Sequence, residues 1–319
     1  MDFTRLRSLR ELSVRGTMAA VAEALCLTPS AVSQQIAQLE DEAGAPLVER
    51  RGRGVRLTPA GALLARHADR VLAVLGEARA GLAELRREVA GELRIAAFAS
   101  AAALLLPQAL VALRRAHPRL ELVISELEPA EGLAALGAWQ ADLALVDDWS
   151  AADGAGHPSL EFSALVDDRL CALLPAGHGL ASRAAVSLSE LEAESWALDS
   201  SSSAYAEFVL AQCRRAGFEP RVNARCRGFE MVAALVGAGC SVAVIPGLRR
   251  RQTPPATALV PLAPELPRRI SIAWRRSEGR HPALLAVLAQ VQASARTLGP
   301  EGGSQGGSTG RPRRAGPRT

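Results

Sequence analysis

Apolar residues in the first 43 positions recur every three or four residues, which is the spacing of helices that bury one face. The spacing predicts three helices, over residues 5–15, 18–25 and 29–43. Thr17 can cap the second helix, and Thr28 followed by Pro29 is a start signal for the third. A tight turn joins the second and third helices, so this segment has the helix-turn-helix pattern.

The third predicted helix has an apolar side and a polar side. Val32, Ile36 and Leu39 share the side that can face a core. The other side can approach base edges closely, because glutamine binds adenine through two hydrogen bonds and serine is adaptable. The DNA contacts predicted at this helix are Thr28, Pro29, Ser30, Ser33, Gln34 and Gln38. An ordinary solvated helix would show the same face, so the pattern alone leaves both interpretations open.

A run of positive charge comes directly after the third helix. Four arginines fall within residues 50–56, around Gly52 and Gly54, and the glycines suit a tight turn between two short strands. Arginines on such a wing can clamp phosphates or enter the minor groove. The contacts predicted here are Arg50, Arg51 and Arg53. A charge run is usually only a solvated surface, but its place behind the third helix favours DNA binding.

A longer apolar repeat begins after Thr58 and Pro59, which form another helix start signal. It predicts one helix of about 29 residues, which would span about 44 Å. Apolar residues alternate spacings of four and three along it, at Leu64, Ala68, Val71, Leu75, Ala78, Leu82 and Leu85. Because charged residues lie off this line, we interpret it as a dimer seam that includes Leu64, Val71, Leu75 and Leu82. Packing of the helix on its own domain is the alternative.

From residue 91 onwards, short apolar strands alternate with helices, which is typical of an α/β fold with a parallel sheet. Two such sets are followed by a last strand and a last helix, at residues 269–274 and 282–296. Return of these last elements to the first set would give two lobes joined by two crossings, near residues 162–166 and 264–268. The cleft between such lobes is a natural small-molecule site.

Composition narrows the class of protein without identifying it. The net charge of +4 permits a nucleic-acid partner but does not require one, and all 37 basic residues are arginine. The start of the chain lacks the apolar core of a signal peptide and no apolar run could span a membrane, so we expect a cytoplasmic protein without a membrane partner. The five cysteines form no CxxC pair and the five histidines are scattered, so no metal or other cofactor is predicted.

The first 61 residues resemble the LysR-type transcriptional regulators. The resemblance is carried by residues 16–17 with the alanine-rich second helix, and by residues 27–36, 38–40, 47–50 and 54–61. Gln34 stands where many members carry arginine, so a guanine-reading contact is not implied, and Met18 replaces the usual phenylalanine. A weaker resemblance to the effector domains of the same family covers residues 91–296, through residues 91–95, 117–118, 140–146 and 232–246.

The resemblance implies an α/β protein with an N-terminal winged helix-turn-helix, a long linker helix through which members dimerise, and a bilobal effector domain like the type II periplasmic binding proteins. The predicted parts are the DNA-binding domain 1–60, the linker helix 61–89, the effector domain 90–297 (lobe I 90–163 and 268–297, lobe II 164–267), and a disordered basic tail 298–319. The expected partners are double-stranded DNA, a small-molecule effector, RNA polymerase and further copies of the chain, as a homodimer or homotetramer.

The family's layout places the effector between the lobes. On this chain the corresponding positions are Ala99, Ser100, Ser201, Ser202, Ser203 and Phe229. Ser100 and Ser203 stand at predicted helix starts, where backbone N–H groups and the helix dipole favour an anion, so a carboxylate effector is our hypothesis. Plain helix capping by the serines and a core position for Phe229 are the alternatives.

Two other classes of protein fit part of the pattern. A solute-binding protein would have the two lobes, but the first 61 residues and the missing signal peptide argue against it. An enzyme on the same bilobal fold would need a catalytic constellation. We find no glycine-rich phosphate loop, no G-x-S-x-G elbow and no acid pair beside a base, so no enzymatic activity is predicted, although a lone cysteine nucleophile stays open.

Overall fold

The N-terminal part of the chain is a small winged-helix unit, called the head below. The structure is a computed structural model that describes residues 2–51, 54–86, 88–151, 159–199 and 203–298. The head comprises α1 (Phe3–Arg15), α2 (Met18–Leu25), α3 (Pro29–Ala43), β1 (Val48–Arg51) and β2 (Gly54–Leu57). Thr17 and Thr28 cap α2 and α3 as predicted, since their hydroxyl oxygens accept bonds from the Ala20 and Ala31 N–H groups at 3.2 and 3.1 Å.

The linker helix α4 (Pro59–Arg86) starts directly at the wing. At 28 residues it is about 42 Å long. Thr58 fixes its start, because the hydroxyl accepts a bond from the Gly61 N–H at 3.0 Å and donates one to the Pro46 carbonyl at 2.7 Å. Gly61 is required there, since a Cβ atom on it would lie 2.0 Å from the Leu47 carbonyl oxygen.

Lobe I is a sheet with helices on both faces. Its elements are β3 (Gly91–Ala97), α5 (Ala99–Ala116), β4 (Leu120–Glu126), α6 (Pro129–Gly137), β5 (Leu143–Asp147), the single turn α7 (Asp148–Ala151) and, from the end of the chain, α10 (Pro282–Thr297). Successive strand residues point to opposite faces: Ile95 joins the core beneath α5 and α10, and Ala96 joins the core beneath α6.

Lobe II repeats this layout on a smaller scale. It contains β7 (Ser195–Asp199), α8 (Ser203–Arg215), β8 (Arg221–Cys226), α9 (Phe229–Gly237), β9 (Ala243–Pro246), and parts of the long strands β6 (Leu160–Pro175) and β10 (Thr257–Arg275). Leu174 packs into the core on the α8 side, and its neighbour Leu173 packs into the core on the α9 side. Each lobe therefore has its own hydrophobic core.

The central sheet is mixed, which corrects the expectation of a parallel sheet. Its strand order is β4-β3-β5-β10-β6-β9, and only the β3–β4 and β3–β5 pairs are parallel. The strands β6 and β10 run antiparallel to each other along most of their length. The hydrophobic pattern predicted only one apolar end of each strand, at residues 170–174 and 269–274. The middle of each strand carries charged residues or prolines, such as Asp167, Asp168 and Pro267.

Both crossings between the lobes lie in this β6–β10 pair, called the ribbon below. Residues 270–274 of β10 pair with β5 in lobe I, while residues 170–173 of β6 pair with β9 in lobe II. Between these ends, residues 166–169 of β6 face residues 267–270 of β10. The two lobes are therefore connected by two strands that are hydrogen-bonded to each other.

Candidate DNA-binding surface and effector cleft

The polar side of α3 is exposed. Val32, Ile36 and Leu39 are buried in the core of the head, as their spacing indicated. All six polar or proline residues predicted to contact DNA on this helix are exposed: Thr28, Pro29, Ser30, Ser33, Gln34 and Gln38. A helix held by an apolar stripe with small hydrogen-bonding side chains outside has the form of a major-groove recognition helix.

Two polar contacts hold α3 in place. The Ser8 hydroxyl on α1 donates to the Gln35 side-chain oxygen. The Glu40 carboxylate accepts bonds from the N–H groups of Leu47 and Val48 at 2.7 and 3.0 Å, at the base of the wing. Glu40 therefore ties the wing to α3. Sequence reasoning missed this role, because the seven-residue separation of Glu40 and Leu47 shows in no periodic pattern.

The wing is the predicted hairpin. Strands β1 and β2 pair antiparallel, with Arg50 opposite Val55 and Arg51 opposite Gly54. Arg53 lies outside the described residues. Arg50 and Arg51 thus lie on the first strand of a hairpin that follows the recognition helix, which is the position a phosphate-binding wing requires.

The linker helix has two apolar faces rather than one. Leu64 is half-buried and packs on the head core, and Ala68 is fully buried there, so the predicted line is partly covered within the chain itself. Val71, Leu75 and Leu82 are exposed, at 43, 40 and 59 %. With them lie Leu63, Val74 and Leu85, also exposed. These six residues are called the outer face of α4 below.

A buried junction joins the head and α4 to lobe I of the same chain. Trp139, which follows α6, has a φ of 59° and meets the Phe3 ring edge to face, with centroids 6.1 Å apart. A Cβ atom on Gly76 of α4 would lie 2.9 Å from the Trp139 ring. The Arg275 guanidinium lies 4.3 Å from that ring and binds Asp142 at 2.9 Å. Lobe I therefore packs directly on the unit that carries α3.

The interlobe cleft holds a cavity of about 980 Å³. Its lobe I wall is the apolar side of α5, and its lobe II wall comes from the start of α9 and the turn after β9. Ala99 and Phe229, two of the predicted effector residues, line it. Ser100 is buried in the first turn of α5, Ser203 begins α8, and Ser201 and Ser202 lie outside the described residues.

A second groove, of about 760 Å³, lies beside the ribbon around Asp168 and Gly247.

Two arginines are buried in this region, and one of them, Arg249, lines the cavity. Arg268 on the ribbon binds the Asp147 carboxylate at 2.9 and 3.2 Å and lies 4.5 Å from the Phe98 ring. Arg249, in the turn after β9, lies 4.5 Å from the Phe229 ring. Burial lowers the pKa of the Arg249 guanidinium, although nearby Asp199 and Glu230 oppose this.

Aromatic residues also bridge the two lobes. Trp149 of lobe I stacks on Phe208 of α8, with ring centroids 4.1 Å apart, and lies 6.1 Å from the Tyr205 ring. The Tyr205 hydroxyl donates to the Val244 carbonyl at 2.9 Å, and burial raises its pKa. Sequence reasoning missed Arg249, Arg268 and Trp149, because none of them belongs to a local motif.

Comparison with known proteins identifies both parts of the chain. The family described as "Bacterial regulatory helix-turn-helix protein, lysR family" matches residues 3–62, and the family described as "LysR substrate binding domain" matches residues 86–296. The chain belongs to the LysR family of transcriptional regulators, which are not enzymes. Its second part is the effector-binding domain of that family.

Curated relatives span nearly the whole chain. The transcriptional dual regulator GltC of Bacillus subtilis is 27% identical over 279 residues, covering 85% of this chain and 90% of that protein. The hydrogen peroxide-inducible genes activator of Pectobacterium carotovorum is 26% identical over 278 residues, covering 86% and 90%. Each match therefore covers more than four fifths of both proteins.

Solved structures show the same fold. Full-length OxyR C199D from Pseudomonas aeruginosa superposes with a TM-score of 0.63 at 23% identity, covering 93% of this chain and 97% of that one. CbnR in complex with its target DNA superposes with a TM-score of 0.52 at 24% identity, covering 92% and 100%. At 23–24% identity, these superpositions show that the chain has the overall fold of full-length LysR regulators.

The reactivity of the cysteine thiols is relevant to one of these relatives, the hydrogen peroxide-inducible genes activator. Burial raises the pKa of Cys171 to about 11 and that of Cys213 to about 12. Burial therefore disfavours the thiolate, which is the reactive form, at these two residues. No helix of the described ranges is long and apolar enough to cross a membrane. Within the same ranges no three His, Cys, Asp or Glu side chains group as metal ligands.

Proposed function

We propose that the chain is a sequence-specific, double-stranded-DNA-binding regulator whose activity responds to a small molecule in the interlobe cleft. The observation that carries the proposal is the exposed polar face of α3, held between a packed core and a wing tied to it by Glu40. Gln34 and Gln38 would read base edges, while Arg50, Arg51 and Arg53 would bind phosphates. Thr28, Pro29, Ser30 and Ser33 would complete the contact at the start of the helix.

We place the dimer contact on the outer face of α4. A row of exposed leucine and valine side chains on a charged helix is unfavourable in water, and pairing with a second copy would bury it. Val71, Leu75 and Leu82 lie on this face, and Leu64 lies at its margin beside the head. A dimer would present two copies of α3 to two half-sites of an inverted repeat, and pairs of dimers would give a tetramer.

The effector is proposed to be a carboxylate bound between the lobes. Ala99 and Phe229 line the cavity, and Ser100 lies in the first turn of α5, where backbone N–H groups favour an anion. Ser203 begins α8 in the same way, and Ser201 and Ser202 complete the predicted set. An effector that binds one arrangement of the lobes more tightly would shift the population towards it.

The junction at Trp139 supplies a route from that shift to DNA. Lobe I packs on Phe3 of the head and on Gly76 of α4, so a change at lobe I bears directly on the unit that carries α3. The proposed output is a changed spacing or angle of the two heads on DNA. RNA polymerase is the expected partner of the bound dimer, and a regulator of this kind works in the cytoplasm, where the bacterial chromosome is.

The proposal is tested by fluorescence anisotropy with DNA from upstream of the gene that encodes the chain, over a salt series, with an unrelated fragment for comparison. We expect tighter binding to the upstream DNA and a steep loss of affinity with salt. Gln34→Ala should weaken specific binding roughly 5- to 100-fold, since one good base contact contributes about 1–3 kcal/mol. Gln108→Ala is the matched control, because Gln108 is exposed on α5. No binding to either fragment at low salt would refute the proposal.

A further inference from the structure

Three arginines of the described residues are buried, and they differ in their partners. Arg268 and Arg275 are each 4 % exposed, and Arg249 is 9 % exposed. Arg268 forms an ion pair with Asp147, and Arg275 forms ion pairs with Asp142 and Glu278. A buried charge normally has an oppositely charged partner, because its desolvation is otherwise uncompensated.

Arg249 is the exception among the three. In the part of the chain that the structure describes, no carboxylate lies within ion-pair distance of it, and its one side-chain hydrogen bond goes to the neutral Gln252 oxygen at 3.2 Å. One side of its guanidinium is covered by the Phe229 ring. The residue lines the interlobe cavity, so the missing anion can come from a ligand in that cavity.

The walls of the cavity indicate what else the ligand carries. In the same cavity, α5 contributes a wall of small and branched apolar side chains, including Ala102, Leu106 and Leu110. The other charged residues of the lining are three carboxylates, Glu126, Asp199 and Glu230, and one cation, Arg227. Because the carboxylates outnumber the cations even when Arg249 is included, a second negative charge on the ligand is disfavoured.

We propose that Arg249 binds the carboxylate of the effector, and that the effector is an apolar monocarboxylic acid whose hydrocarbon part lies on the α5 wall. This inference rests on the proposed function, because it takes the interlobe cavity as the effector site. Arg249 belongs to lobe II and α5 to lobe I, so one small molecule of this kind contacts both lobes. Planar guanidinium groups bind carboxylates through two parallel hydrogen bonds, which fixes the orientation of the ligand.

The test is isothermal titration of the full chain with phenylacetate and hexanoate, with phenylacetamide as the neutral isostere and adipate as the dianion. We expect at least one of the two monoacids to bind the wild type at millimolar concentration. Arg249→Gln should weaken that binding at least tenfold, and Arg250→Gln should not, since Arg250 is the exposed neighbour in the same turn. Phenylacetamide and adipate should each bind at least tenfold more weakly than the corresponding monoacid.

Several outcomes would overturn the inference. Equal affinity of Arg249→Gln and wild type for the acid would exclude Arg249 as the anchor, and failure of both monoacids to bind would exclude the ligand class. Tight binding of phenylacetamide would exclude the carboxylate requirement while leaving the cleft as an effector site. If the wild-type chain bound the upstream DNA no more tightly than the unrelated fragment, that result would instead count against the proposed function. The two failures are therefore distinguishable.

A measurement without ligand separates a binding role from a structural one. Thermal unfolding of the ligand-free chain should show Arg249→Gln as stable as the wild type or more stable, because the variant removes an unpaired buried charge. Arg268→Gln should unfold at a lower temperature, because it removes one member of the buried ion pair between Arg268 and Asp147. Equal destabilisation by both variants would show that Arg249 holds the fold together and would overturn its assignment to a ligand.

Discussion

The two faces of α4 differ in residue size and in what covers them. The face turned towards the rest of the chain consists mostly of small residues and is buried: Gly61, Ala65, Ala68, Leu72, Gly76 and Ala80. The outer face consists of leucines and valines and is exposed. Small residues let backbones approach closely, while large apolar residues exposed to water need a covering surface. One side of the helix is therefore shaped for its own chain, and the other is the face that we propose is covered by a second copy.

Close contacts on the face of α4 that is turned towards the rest of the chain show how strictly the size of its side chains is limited. An added Cβ atom would reach 2.0 Å from the Leu47 carbonyl oxygen at Gly61 and 2.9 Å from both the Ser277 hydroxyl and the Trp139 ring at Gly76. At Gly81, near the end of the helix, the same atom would meet nothing within 4 Å. The contacts at Gly61 and Gly76 fix α4 on the head and on lobe I, whereas Gly81 has free space for a side chain.

The largest effect is expected from Gly61→Val. The new side chain would force α4 away from the wing, because the clashing atom belongs to the backbone and cannot move by a rotamer change. We expect a loss of about 3 kcal/mol or more in the free energy of unfolding, at the upper end of overpacking effects. Urea unfolding followed by circular dichroism measures it. An unchanged midpoint would show that the contact between α4 and the wing is loose.

The outer face is tested by Leu75→Arg combined with Leu82→Arg. The charges would oppose burial of this face, so we expect monomers in sedimentation velocity and at least a tenfold weaker affinity for specific DNA, about 1.4 kcal/mol or more. The far-UV circular dichroism spectrum should stay the same, since both leucines are exposed within the single chain. The unfolding midpoint should fall and become independent of protein concentration, because dimerisation no longer stabilises the folded state.

The matched control places arginine at the same spacing on another side of α4, as Glu77→Arg with Glu84→Arg. Both glutamates are exposed. This variant should sediment like the wild type. Dimers that persist in the leucine variant would exclude the outer face as the seam.

The smallest effect is expected from Gly81→Ala. Alanine is a better helix former than glycine by about 1 kcal/mol, and the added methyl group has free space. We expect an increase of up to about 1 kcal/mol in the free energy of unfolding, with the oligomeric state unchanged. Destabilisation would mean that α4 does not continue through this position as a regular helix.

The head could be predicted closely because its signals are local. The caps Thr17 and Thr28, the apolar stripe of α3 and the glycines of the wing each act within one element. The dimer seam on α4 stays a prediction, and a line of apolar residues in the sequence does not tell which of them are covered by the same chain. Ala68 is buried in the head, whereas Leu75, seven residues later, is exposed.

The long-range features could not be predicted. Glu40 binds the wing, Trp139 reaches Phe3, and Arg249 lies on Phe229, and each of these contacts joins different elements. Nothing in the neighbouring sequence of Arg249 distinguishes it from Arg250 and Arg251, yet only Arg249 is buried. Which arginine of this run turns inward depends on how the turn packs on α5, and that is a tertiary property.

The ribbon has a mechanical consequence for how the lobes move. If the two crossings were not bonded to each other, the lobes could rotate about several axes. Here the two strands are hydrogen-bonded side by side, so they resist sliding and bending within their plane. The ribbon can therefore deform most easily by twisting and by bending out of the plane of its two strands. Lobe II then follows a restricted arc relative to lobe I. Because lobe I packs on the head at Trp139, that arc has a defined direction relative to α3.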